Sequence, residues 1–294
     1  MLELSGVTKR FGERLALDDV SFQVAPGRLT GFVGGNGAGK TTTMRIILGL
    51  LSRDGGEVTL DGAPLGPDAR RTFGYMPEER GLYAKMKVLE QITYLARLHG
   101  FDKRGATRRA EEILDRLGLG ERLNDDVQDL SLGNQQRAQI AAALVHGPKV
   151  LILDEPFSGL DPMAVETVLQ VLQEHASAGS SVLFSSHQLD VVERLCDDLV
   201  IIAGGSVAAR GTREQLRDEH SPDRYEIATE GDAGWLREEP GVVVVDFSAG
   251  QAVFEVDAPE TAQRVLRRAS DLAPVTAFGR QRPSLAQIFQ EVVR

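Results

Sequence analysis

The chain of 294 residues has one cysteine, Cys196, so neither an internal disulfide framework nor a cysteine-based zinc site can be built from it. It has no run approaching the ~18–20 uncharged apolar residues of a membrane span, and its first residues carry no signal-peptide pattern. The cytoplasm is therefore the expected compartment. It also has no basic excess. The net charge is −10, with 30 acids and 25 bases in residues 1–218 and 13 and 8 in residues 219–294. Each part is −5, and neither offers the basic footprint of a nucleic-acid binder. Internal repeats and low-complexity tracts are missing too. What remains is 42% hydrophobic and 26% charged, an ordinary globular balance that excludes a disordered chain.

The patterning divides near residue 215. Leu2–Val7 and Ser21–Val24 read as short strands separated by a turn-rich stretch. Leu29–Val33 runs straight into a glycine loop and a helical pattern beginning at Lys40. Val150–Leu153, Ser181–Ser185 and Leu199–Ala203 read as buried strands with helices between them. Such alternation predicts an α/β core with a mixed, mostly parallel sheet. Asp161-Pro162 is a helix start, Asp capping and Pro suiting the first turn. Between Lys85 and Asn124, apolar residues at helical spacing (Val88, Leu89, Ile92, Leu95, Leu98; then Ala110, Ile113, Leu114, Leu117) predict two amphipathic helices joined by a polar linker at 100–107. After residue 215 the order becomes strand-helix-strand-strand-helix-strand, which predicts a small α+β split-βαβ, ferredoxin-like domain. A final helix is expected over Ser284–Val293.

Two segments carry chemistry. Gly34-Gly35-Asn36-Gly37-Ala38-Gly39-Lys40-Thr41 matches G-x-x-x-x-G-K-[ST] between a strand and a helix, the context that a phosphate loop requires. Its glycines let backbone N–H groups turn inward around phosphate oxygens. Lys40 supplies positive charge to the β- and γ-phosphates, the helix start adds its dipole, and Thr41, followed by Thr42, offers a hydroxyl to Mg²⁺. The second segment, Val150 to Pro156, places Asp154 and Glu155 at the C-terminal end of an apolar strand, where open parallel sheets bind ligands. Beside a phosphate loop, this assigns Asp154 to Mg²⁺ and Glu155 to the attacking water as general base.

With these motifs the chain resembles the ATP-binding-cassette (ABC) ATPases over about residues 1–215, and further segments match in the family's order. Leu130-Ser131-Leu132-Gly133-Asn134-Gln135-Gln136-Arg137 resembles the LSGGQ signature, Leu132 and Asn134 departing from it. Ser158-Gly159-Leu160-Asp161 resembles the D-loop. His187 falls at the switch histidine, Phe11 at the aromatic that stacks on adenine, and Tyr75-Met76-Pro77-Glu78 at the Q-loop, with Glu78 where glutamine is usual. The resemblance implies a P-loop nucleotidase core over 1–215, with a helical subdomain at about 85–145. It also implies a dimer in which each ATP lies between one phosphate loop and the other chain's Ser131, Gly133, Asn134 and Asp161. Glu78 joins Thr41 and Asp154 as a candidate Mg²⁺ ligand.

The tail over 216–294 is similar to the C-terminal extension of single-cassette efflux ATPases, the segment from Pro283 to Val293 resembling its close. The resemblance thus implies an ATP-hydrolysing subunit, a homodimer or a heterodimer with a second cassette. It would lie on the cytoplasmic face of the membrane, driving integral-membrane permease subunits, with export of drugs, ions or lipids the leaning and no nucleic-acid partner. Two rivals are a soluble cassette ATPase of translation or repair and a nucleotide-gated binding module with little turnover. The cargo is not written in the chain.

Overall fold

The computed structural model describes residues 1–79, 81–219, 223–281 and 284–293, apart from the side chain of residue 190. Met1–Arg213 and Glu214–Glu291 form two compact units.

The first unit opens with β1 (Leu2–Phe11) and β2 (Arg14–Val24), which pair antiparallel. The turn-rich stretch expected between two short strands is instead strand almost throughout, reversing at Gly12-Glu13. Register shifts along β1 let these polar residues pair without a regular alternation. β3 (Leu29–Val33) leads into α1 (Lys40–Ile47). β4 (Gly55–Leu60) and β5 (Ala63–Pro64) complete a four-stranded sheet in the order β2-β1-β4-β5. A short α2 (Pro67–Arg70) precedes β6 (Phe73–Met76).

Next comes the helical subdomain: α3 (Val88–Leu98), α4 (Lys103–Arg116) and α5 (Leu132–Leu144) pack on one another. The linker expected at 100–107 is shorter, because Asp102 caps α4 by accepting a hydrogen bond from the Gly105 N–H. That cap turns the basic run from Lys103 into helix.

β7 (Val150–Leu153), α6 (Pro162–Ser177), β8 (Ser181–Ser186), α7 (Leu189–Leu195), β9 (Asp198–Ala203) and β10 (Ser206–Thr212) complete a six-stranded sheet, β10-β9-β3-β8-β7-β6. Only β10 runs antiparallel to its neighbour. Its central strands β3, β7 and β8 are buried along their whole length, as strands covered on both faces must be. On one face, Phe32 packs against Phe22 in a core shared with α1 and the first sheet. On the other, a side chain at Gly31 would begin 2.5 Å from Cys196 Sγ and 2.8 Å from Val192 of α7. Only glycine fits there, so the sole cysteine is a packing residue, and burial pushes its thiol pKa far up.

α8 (Arg213–Glu219) is followed by the second unit's β11 (Arg224–Thr229), β12 (Val242–Ser248), β13 (Gln251–Val256), α9 (Pro259–Leu272), β14 (Val275–Arg280) and α10 (Leu285–Val292). The sheet order is β12-β13-β11-β14, all neighbours antiparallel, which is the ferredoxin-like arrangement. Its first crossover is a 3-10 segment, Gly234–Glu238, rather than an α-helix. Pro283 lies outside the described residues.

Candidate functional site

The site grows from the C-terminal ends of β3, β7 and β8. β3 delivers the chain into the loop 34–39, where Gly39 takes φ +113° just before α1. A side chain on Gly39 would collide with Leu17, so both backbone and space demand glycine there. Lys40 starts α1 almost buried, its Nζ donating to the carbonyls of Gly34 at 2.7 Å and Gly35 at 3.4 Å.

Asp154, directly after β7, is 2% exposed. Its Oδ2 accepts from the Thr41 hydroxyl at 3.2 Å, and its Oδ1 accepts from the hydroxyl of Ser185 on β8. Ser185 Oγ also accepts the Glu155 N–H at 2.9 Å. Glu155 itself stands at φ +53°, a left-handed conformation unusual for a side chain other than glycine. Gln136 of α5 donates to the carbonyls of Glu155 and Pro156 at 2.9 and 3.1 Å, which holds this turn against the helical subdomain. The Glu155 carboxylate meets His187 Nδ1 at 2.9 Å. Because a carboxylate only accepts, that imidazole nitrogen donates.

Lys40, Thr41, Asp154, Glu155 and His187 line a cavity of about 840 Å³ together with Phe11, Arg14, Ala16, Gly35, Asn36, Gly37, Gly39, Thr42 and Glu78. Phe11 is 50% exposed, with the ammonium of Lys9 5.6 Å from its ring centre. Lys9 is held in turn by Asp54 at 2.9 Å. The backbone N–H of Arg10 and the Lys9 ammonium keep the Asp54 carboxyl below the usual range.

Two loop residues named from the motif do not face the cavity. Ala38 is buried in the core, and Gly34 abuts the Ile202 carbonyl. Both shape the loop rather than line it. The signature residues are also elsewhere. Ser131 caps α5, its Oγ accepting from the Asn134 N–H at 3.3 Å. The Asn134 side-chain Oδ1 accepts from the Arg137 guanidinium, and Gly133 lies against Gly159 and Leu160. Asp161 caps α6 by accepting from the Ala164 N–H at 2.8 Å, as Asp161-Pro162 predicts.

Three participants escape the motif reading. Ser185 had a faint signal, as a hydroxyl at the end of a buried strand. Arg14 and Ala16 had none until the β1–β2 register is known, since their place depends on lying across the turn from Phe11.

A buried parallel sheet, a strand–glycine loop–helix unit and paired carboxylates after β7, one strand removed from β3, define a P-loop nucleotidase. A family model described as ABC transporter matches residues 17–158, and one described as ATP-binding protein DrrA1-3-like, C-terminal domain, matches residues 211–293. The uncharacterized ABC transporter ATP-binding protein YhaQ of Bacillus subtilis (strain 168) is 37% identical over 293 residues, covering 100% of this chain and 98% of its own. The Nod factor export ATP-binding protein I of Cupriavidus pinatubonensis is 37% identical over 74% of this chain and 68% of its own. Among solved structures, an ATP-binding subunit of an ABC transporter superposes with TM-score 0.69 and 34% identity, covering 74% of this chain and 92% of that one. The dimeric cassette MJ0796, in a post-hydrolysis state bound to ADP and Pi, gives 0.66 and 26%, covering 72% and 98%. The chain belongs to the ATP-binding subunits of ABC transporters, with a single cassette, and is an ATPase.

Proposed function

We propose that the chain hydrolyses ATP at a site shared by two copies and uses the closure of that dimer to drive a separate membrane permease. The supporting observation is the split in the site's geometry. Lys40, Thr41, Asp154, Glu155 and His187 surround one cavity, while Ser131 stands at a helix start outside it. A helix N-terminus with a free hydroxyl lone pair suits a terminal phosphate, and here it needs a second chain to bring one.

In this reading Phe11 stacks on the base, while the loop amides of residues 34–39 and Lys40 hold the phosphate chain. Glu155 accepts a proton from the attacking water. The Ser185 hydroxyl and Gln136 hold its backbone, and His187 holds its carboxylate. The products are ADP and inorganic phosphate, whose separation removes the contacts that bridge the dimer.

The donor set also fits Mg²⁺. Thr41 and Asp154 offer hard oxygens already within 3.2 Å of each other. Among the described residues no cluster of three or more His, Cys, Asp or Glu forms a metal cage. That matches a cation which takes one or two protein ligands and completes its shell with phosphates and water. Thr41 and Asp154 would hold it, with Glu78 beside them, and it would supply charge neutralisation at the β- and γ-phosphates.

No helix among the described residues is long and apolar enough to cross a membrane, so a transport path would belong to another subunit. The groove beside Glu78 and α3, where Tyr94 and Leu98 are exposed, is our proposed dock for a cytoplasmic permease helix. Export is supported by relatives named for Nod factor export and linearmycin resistance. The second unit we read as an accessory domain of residues 216–294.

A Glu155→Gln variant tests the shared site directly. With ATP and Mg²⁺ it should elute as a dimer, bind nucleotide and lose turnover. Only monomers by light scattering at saturating ATP would overturn the shared site.

A further inference from the structure

The nucleotide cavity contains a cation that the sequence motifs do not account for. Arg14 lines it beside Phe11 and Ala16. β1 and β2 close with Phe11 directly opposite Arg14. The turn between them has Gly12 at φ +58°, the sign that the first central residue of a type II′ hairpin turn needs. Directly opposed residues put their side chains on the same face of a ribbon, and Ala16, the unpaired residue at the register shift between Leu15 and Leu17, lines the same cavity. One wall of the cavity is thus an aromatic ring, a guanidinium and a methyl group, in an order set by the hairpin.

The guanidinium is not committed elsewhere. Arg14 is exposed, and its guanidinium makes no ion pair or hydrogen bond with another described residue. Arg28, Arg116 and Arg264 each hold a carboxylate. The Nη2 of Arg14 lies 3.9 Å from the point where a side chain on Gly37 would begin, so it overhangs the middle of the phosphate loop. The same cavity holds the carboxylates of Glu78, Asp154 and Glu155. Lys40 is the other cation there, and it is drawn back against the loop carbonyls. Without Arg14, Lys40 would be the one Lys or Arg among the lining residues, opposite three carboxylates.

We propose that Arg14 binds the phosphate chain of the nucleotide from the hairpin wall, while Phe11 takes the base. This deepens the ATP-site reading above and rests on it. The contact goes to phosphate because Arg14 hangs over the amides that receive phosphate. It is a charge-assisted hydrogen bond, sensitive to salt and indifferent to the base.

Calorimetric titration of the full chain with ADP and with GDP, in Mg²⁺, tests this on the wild type and on Arg14→Gln, Arg14→Lys and Lys40→Ala. Arg14→Gln should weaken both nucleotides about ten-fold. Arg14→Lys should recover most of the loss, and raised salt should narrow the gap. An unchanged unfolding midpoint of the nucleotide-free variant shows that the fold is intact. Affinities within two-fold of wild type for both nucleotides would overturn the proposal, and so would a loss confined to one base. Lys40→Ala tests the site itself. If it binds ADP as tightly as wild type, the ATP-site reading fails; if it loses ADP while Arg14→Gln does not, only the role of Arg14 fails.

Discussion

The two halves of the proposed nucleotide site are built in opposite ways. On the phosphate-loop side, each group is fixed by a partner from another element: Asp154 by Thr41 and Ser185, Glu155 by Ser185, Gln136 and His187. On the signature side, Ser131 and Asp161 each satisfy the N-terminus of their own helix and lie outside the nucleotide cavity's lining. The first half is pre-organised within one chain, and buried strands hold it in place. The second half costs nothing to keep open to solvent, because its polar atoms are already employed as caps. A switch needs this asymmetry: one half that binds whatever the state of assembly, and one half that counts only when two chains meet.

Changes on the assembled side should therefore have the largest effect. Glu155→Gln keeps the shape but removes the proton acceptor. Turnover measured by phosphate release should fall by ~10²–10³, with ATP affinity within a few-fold. Loss of ATP affinity instead would make Glu155 a binding group rather than the base.

Ser185→Ala comes next. It leaves a carboxylate oxygen of Asp154 and the Glu155 N–H without their buried partner. Stability measured by denaturant unfolding should drop by about 2 kcal/mol. Turnover should fall as well, since the left-handed Glu155 loses an anchor. An unchanged midpoint would show that the carboxylates are held without β8.

Ser131→Ala tests the open half. It should leave ADP binding by the single chain within two-fold and cost turnover about ten-fold, because the missing hydroxyl matters only in the closed dimer. A matching loss of ADP affinity would place Ser131 in the same chain's pocket and collapse the distinction between the halves.

Legibility in the sequence follows the same divide. The fully buried strands β3, β7 and β8 are readable as apolar runs because a strand covered on both faces has no polar positions to blur it. Their ends carry Lys40, Asp154 and His187, so the core of the site was readable with them. The pattern shows only parts of β1 and β2, because their register shifts break the alternation that reveals a strand. The roles of Arg14 and Ala16 depend on that same hairpin, so they were lost with it. In the second unit the order of elements was legible. Its first crossover reads as a short helix over Asp232–Arg237 and is the 3-10 segment Gly234–Glu238.

The smallest effect tests how firmly the helical subdomain is joined to the parallel sheet. His146, just beyond α5, stacks on His99 after α3, ring centres 3.7 Å apart, and its Nε2 meets the carbonyl of Phe73 on β6 at 3.1 Å. Burial, then the neighbouring His99, push the His146 pKa down from 6.5 to about 4. The folded state thus holds this imidazole neutral while the unfolded chain protonates it near pH 6.5. Between those values the unfolded state binds more protons, so stability rises with pH: it is complete above 6.5 and is lost as the pH falls towards 4. From pH 7 to 5.5 the loss through His146 should be about 1 kcal/mol, partial exposure allowed for. A His146→Gln variant should flatten that part of the stability profile in urea titrations at each pH. An equal slope in both proteins would mean that the stacked pair is not what ties the subdomain to β6 as the pH falls.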